Sequence, residues 1–243
     1  MKKASERLHY MDALRSAAMF LGVVFHASVF FAYWPIDPFR PHPDASVILH
    51  YLNEIIHTFR MELFFLVAGF FAVMLCRSRG WRGYMRNRVY RIAIPFVLCV
   101  FLLEPWIAGE CVRQNTFSDD GFWSHYLTRL FDPSYLIDRP FPEGNWFWHF
   151  WFLHLLMYFA FALVVIWVVG TRLGIRSDRF QPLLNGVRGS QGLILLTLLT
   201  YPLLLFSPPW ADVPGIGTSL DVLIYYGLFF FAGAIFFLDE SVF

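Results

Sequence analysis

The chain has 243 residues, of which 58% are hydrophobic, 20% aromatic and only 15% charged. Its mean hydropathy of +0.52 lies well above that of an ordinary water-soluble domain, so the composition points to an integral membrane protein. The formal net charge of +1 names no partner and gives no reason to expect a nucleic acid.

In chain order, apolar runs long enough for a bilayer core, roughly 20 residues each, fall at about 13–33, 55–76, 92–109, 147–169, 191–207 and 222–238. They predict an all-α, polytopic integral membrane helix bundle of about six transmembrane helices. The fifth run is the shortest and contains Pro202, which leaves room for a bend. The proline-rich stretch "YWPIDPFRPHPD", 33–44, reads as a short extended external loop. The next stretch, "ASVILHYLNEIIHTFRMELFFLVAGFF" at 45–71, starts amphipathic and becomes continuously apolar, so the second helix is expected to begin outside the lipid or along its surface. Residues 113–145 read as an external loop with a short interfacial helix near 121–131, and "NWFWHFWFLH", 145–154, as an aromatic belt at the outer mouth of the fourth helix. Everything outside the bilayer is expected to be loop, without an internal repeat or soluble module.

The loop charges orient the bundle. Lys2, Lys3 and Arg7 against Glu6 place the N-terminus in the cytoplasm by the positive-inside rule. Arg77, Arg79, Arg82, Arg86, Arg88 and Arg91 do the same for the connection after the second span. After the fourth span, Arg172, Arg176, Arg179 and Arg188 stand against Asp178 alone. The segment between spans three and four is acidic, with Glu110, Asp119, Asp120, Asp132, Asp138 and Glu143 against three arginines. Six spans with both termini cytoplasmic satisfy every one of these biases, as a multi-pass protein of the inner (plasma) membrane. The first run is read as an uncleaved anchor, because Arg15 and the lack of a small-residue cleavage site argue against a signal peptide. Cys76, Cys99 and Cys111 are too few for a disulfide framework, and only Cys111 is expected on the oxidising side. No zinc-type spacing occurs, so no metal site is expected.

Ionisable side chains inside spans cost about 2.5 to 3.5 kcal/mol each on insertion scales and so need a reason. Arg15 and His26 are eleven residues apart, which brings them within about 20° of one helix face at an axial separation of roughly 16 Å. Gly22 lies between them and leaves room for something to approach the backbone. A plainer reading pairs Arg15 with Asp12 and makes His26 a core histidine with its bonds satisfied. The second helix adds Glu54, His57, Arg60 and Glu62, which form either a polar chamber or a self-neutralising network. Arg88 and Arg91, three apart on a helical segment before Pro95, fit bidentate capture of phosphate.

Several of these stretches, taken in order, resemble the motifs of the membrane-bound acyltransferase 3 family. They are Arg15 and His26 with ten residues between them, "MELFFLVAGFF" at 61–71, "RVYRIAIPF" at 88–96 and "HFWFL" at 149–153. "RLHYMDALRSAAMFLGVVFHASVFF" and "IHTFRMELFFLVAGFF" look most like its glucan biosynthesis branch. The resemblance covers residues 7–238, a single transmembrane domain. It implies an O-acyltransferase that moves a succinyl or acetyl type of group from cytoplasmic acyl-CoA to a hydroxyl of an outward-facing carbohydrate such as a periplasmic glucan. Acyl-CoA is then a co-substrate, and no cofactor is bound permanently.

By that resemblance His26 matches the catalytic histidine, Arg15 its motif partner and Glu62 the acidic residue before the paired phenylalanines. Arg88 and Arg91 match the arginine pair associated with the acyl donor. His57 and Arg60 join the set as substrate-binding residues from their place in the outer half of the second helix. The family implies about ten spanning helices, whereas about six fit here at roughly 20 residues each; the chain is therefore expected to be a truncated part of that fold, incomplete at its C-terminus. The alternative is a proton-coupled transporter or flippase that uses the same intramembrane charges.

Overall fold

The computed structural model describes residues 9–28, 31–32, 44–103, 150–174, 190–206 and 220–238. Among them are the helices α1 (His9–Ser28), α2 (Val47–Arg88), α3 (Ile94–Leu102), α4 (Trp151–Arg172), α5 (Ser190–Phe206) and α6 (Leu220–Leu238), with a π-helical turn at Val89–Ala93. The described residues contain no strand, only an isolated bridge between Ala32 and Ser46. Each of the six apolar runs overlaps one of these helices within the described residues, the third over Ile94–Leu102 only. By length and composition, three stretches can cross a membrane: Val47–Leu102, Trp151–Arg172 and Leu220–Phe237, with Ile194–Leu205 a shorter apolar helix. Helix α1, whose 20 residues include His9, Asp12, Arg15 and His26, is not among them. The expected loop at 33–44, nearly all of the expected external segment 113–145 with its interfacial helix, and Cys111 lie outside the described residues.

The chain divides into two compact units, residues 1–71 with 229–243 and residues 72–228. In the first, α1 and α2 run antiparallel. Near one end Met11 packs with Val67 and Phe70, and at the other Ser28 meets Asn53. The Ser46 backbone N–H donates to the Phe31 carbonyl at 2.8 Å, which closes the connection between them. Helix α1 fully buries only Met11 and Ala18; Met19, Phe20 and Val23 stay exposed as lipid-facing residues would, while Leu21, Val24 and Phe25 are partly buried. The C-terminal part of α6 crosses α2 backbone to backbone. A Cβ at Gly69 would collide with the Phe230 carbonyl, and one at Gly233 with the Leu66 carbonyl. Without a hydrophobic drive between helices in lipid, such close approach through small residues supplies the van der Waals contact that holds a crossing.

In the second unit the arginine-rich connection is helical rather than a loop, a correction to the expectation above. Gly80, at φ 67° and ψ 167°, breaks the helical path in a region that only glycine enters readily. The chain then resumes as helix from Trp81. The reason is amphipathicity: Tyr84 is fully buried while the arginines around it reach solvent, so one face finds a core and the other needs none. The π turn that follows has a local cause in Pro95, which has no N–H to offer the Arg91 carbonyl and whose ring crowds it. The backbone widens just before it, and the Ile94 N–H bonds back to the Val89 carbonyl, five residues away. Helix α4 buries Leu155, Leu156, Phe159, Ala160, Leu163 and Val164, one stripe at helical spacing. Against it lie Phe96 of α3, stacked on His154 at 6.1 Å between centroids, and Tyr226 of α6, 5.3 Å from Trp151.

Candidate functional site

Asn53, His57 and Arg60 follow one another at i, i+4 and i+7, so they form one stripe on α2. That stripe faces α1. The His57 ring lies 5.4 Å from Phe25, and the Arg60 guanidinium covers the same ring with Cζ 4.7 Å from its centroid. Phe25 in turn meets His26 edge to face at 5.2 Å. Arg60 is only 8% exposed, and its Nη1 lies 3.3 Å from the point that a Cβ would occupy at Gly22. The gap that glycine leaves between Arg15 and His26 is therefore filled by a guanidinium from the neighbouring helix. A desolvated cation over an aromatic face gains about 2 kcal/mol, which offsets much of the insertion cost of one arginine. His57 feels the charges of both Arg60 and Glu54.

The remaining predicted residues are placed differently. His26 is exposed, on the last turn of α1, rather than being a core histidine. Arg15 stands 3.8 Å from Asp12, with both side chains about half exposed (57% and 46%), and its guanidinium sits 5.3 Å from the Phe71 ring. An exposed pair of this kind is worth about 0–1 kcal/mol, so Arg15 is anchored lightly. Glu62 follows Arg60 by two residues, about 200° around the helix. It does not join the stripe facing α1, although its Oε2 is shielded from solvent.

In the second unit, Arg88 is half-buried with Cζ 4.8 Å from the Tyr84 ring centroid, while Arg91 is exposed. Cys76 and Tyr84, at 1% and 0% exposed, lie beside this guanidinium. At α-helical spacing Arg88 and Arg91 would share one face, but the π turn at Val89–Ala93 alters that rotation. Among the described residues, no group of three or more His, Cys, Asp or Glu is gathered for a metal ion.

Four residues near the site escaped the sequence reading: Phe25, Ser28, Asn53 and Tyr84. Phe25 adjoins His26, and an aromatic beside an intramembrane cation is a recognisable partner. Asn53 offered its own signal, a polar amide at helical spacing from His57.

The chain belongs to the acyltransferase 3 family, whose acyltransferase domain matches residues 8–240. It is similar to a glucans biosynthesis protein C of Shigella dysenteriae serotype 1, strain Sd197, with 28% identity over 170 residues that make up 68% of this chain and 39% of that protein. It is also similar to the glucans biosynthesis protein C of Escherichia coli O1:K1 / APEC, with 32% identity over 101 residues, 41% of this chain and 25% of that protein. The chain thus spans less than half the length of these relatives. No solved structure matches it.

Proposed function

We propose that this chain carries the acyl-transfer site of a multi-pass inner-membrane O-acyltransferase, which moves a succinyl or acetyl type of group from acyl-CoA to a hydroxyl of a glucan. The family supports the reaction class, and the names of the relatives support the acceptor. The observation that carries the assignment to particular residues is the cluster of His57, Arg60 and Phe25 beside His26.

In this reading the neutral imidazole of His26 takes the proton of the acceptor hydroxyl as its oxygen attacks the thioester carbonyl. The new C–O bond forms, negative charge develops on the carbonyl oxygen, and a guanidinium stabilises it. Arg60, held in the Gly22 notch, is better fixed for that task than the exposed Arg15. Collapse of the intermediate breaks the C–S bond, and the thiolate of CoA leaves with the proton from His26. His57 lies on the Arg60 stripe, where it binds the acceptor. Glu62, about 200° around α2 from Arg60, keeps by the family pattern the role of the acid that orients the imidazole. Arg88 and Arg91 bind the phosphates of the donor, with Arg88 oriented by the Tyr84 ring. Six spans with both ends cytoplasmic are supported by the apolar runs and the alternating loop charges, while Val47–Leu102, Trp151–Arg172 and Leu220–Phe237 are the described stretches long and apolar enough to cross.

Mass spectrometry of cell-envelope glucan from cells with and without the protein tests this function. Acyl-substituted glucan present only with the protein supports it and identifies the acyl group; identical glucan in both overturns the assignment of acceptor.

A further inference from the structure

The contact between α1 and α2 next to His26 is polar, buried and unaccounted for by the chemistry above. Asn53 is 0% exposed, and its side-chain amide lies 2.7 Å from Ser28 Oγ. The same hydroxyl lies 2.7 Å from the Val24 carbonyl. A hydroxyl has one proton, so it cannot donate to both. Both contacts are satisfied when Ser28 donates to the Val24 carbonyl and the Asn53 amide turns so that Nδ2 donates to Ser28 Oγ. In the orientation with Oδ1 toward Ser28, the buried Asn53 Nδ2 has no hydrogen-bonding partner among the described residues. Burying an amide with one end unmet is costly, and a leucine at this position would cost nothing of the kind.

The cost falls at a particular place. The chain of bonds from Asn53 through Ser28 to Val24 brackets His26 and ties the last turn of α1 to α2. On the other side of His26, Arg60 fills the notch at Gly22. The exposed imidazole thus stands between two fixed points, one four residues before it and one two residues after.

We infer that Asn53 and Ser28 are positioning residues that set the rotation of the last turn of α1, and with it the direction in which His26 presents its imidazole. This rests on His26 being the base of the proposed reaction. Asn53 and Ser28 need not touch either substrate. Their effect is on turnover, because a base displaced by roughly 1 Å can lose about 100-fold in rate.

The test uses membranes containing the full chain, labelled succinyl-CoA and a soluble glucan, with Ser28→Ala, Asn53→Ala and Ser28→Thr. The first two are expected to lower kcat about 10-fold or more with KM for succinyl-CoA unchanged, while Ser28→Thr, which keeps the hydroxyl, retains the rate. Adding Ser28→Ala to His26→Ala is expected to cause no further loss. Backbone hydrogen exchange over residues 22–28, which requires no turnover, is expected to quicken in Ser28→Ala. Unchanged kcat or unchanged exchange in the alanine variants overturns the inference while leaving the base assignment intact, and so does a loss that persists in full without His26. Full activity of His26→Ala alone overturns the base assignment instead.

Discussion

The guanidinium of Arg60 occupies the space that glycine opens at position 22, with Nη1 3.3 Å from where a Cβ would stand. Arg60 reaches that space across the face of Phe25. An alanine at 22 asks only the end of a flexible side chain to yield by a few tenths of an ångström. Gly22→Ala is therefore expected to leave thermal stability in detergent nearly unchanged. Gly22→Val, which is too large for the notch, expels Arg60 and is expected to cost about 1–3 kcal/mol; equal melting temperatures for the two variants would show that Arg60 does not depend on the notch.

Phe25 lies beneath the Arg60 guanidinium and also meets the rings of both His26 and His57. Phe25→Leu keeps an apolar side chain but removes the ring quadrupole, at an expected loss of about 1–2 kcal/mol. Phe25→Tyr keeps the ring and should lose much less. Comparing the melting temperatures of both with that of Arg60→Met checks the pairing, since Phe25→Leu should cost little once Arg60 is gone.

The Gly69 and Gly233 crossing leaves no space for a methyl group against the facing backbone carbonyls. Either glycine replaced by alanine must push α2 and α6 apart. Each substitution is expected to destabilise by at least about 1–3 kcal/mol, seen as faster proteolysis and lower yield in membranes. Stability equal to the unaltered chain for Gly69→Ala would contradict the close crossing.

Tyr84 lies beneath the Arg88 guanidinium. If Arg88 binds the donor, Tyr84→Leu frees the guanidinium and should raise KM for acyl-CoA several-fold, on the order of the 0.5–1 kcal/mol of a partly exposed cation–π contact. Tyr84→Phe preserves the ring and should leave KM near normal. A donor KM that ignores both substitutions would detach Arg88 from Tyr84 in function.

The approximate positions of the helices were legible because lipid imposes long apolar runs, and each run from 13–33 to 222–238 overlaps a helix within the described residues. Gly22 was legible too, as a gap in a charged stripe awaiting an occupant. The occupant itself was not. Which side chain fills the gap depends on the antiparallel register of α1 against α2, and that register is set by distant contacts such as Met11 with Val67 and Ser28 with Asn53. The connection at 77–87, ahead of the helical segment that holds Arg88 and Arg91, was expected as loop for a different reason. Arginine content signals the cytoplasmic side, but it says nothing against a helix, and Tyr84 provided an apolar face that outweighed it. Glu62 was legible as a place in the string "RMELFF", whereas its angular offset from Arg60, about 200° around α2, follows only once the Arg60 stripe is known to face α1.

The proposed role of His26 as the base of an acyl transfer is open to a direct test. His26→Ala and the unaltered chain, inserted in membranes at equal levels, are to be compared for transfer of labelled acyl group from acyl-CoA to glucan. His26→Ala is expected to lose about 100-fold or more, in the range removed with a general base, with donor binding unchanged. Activity of His26→Ala equal to that of the unaltered chain would contradict it.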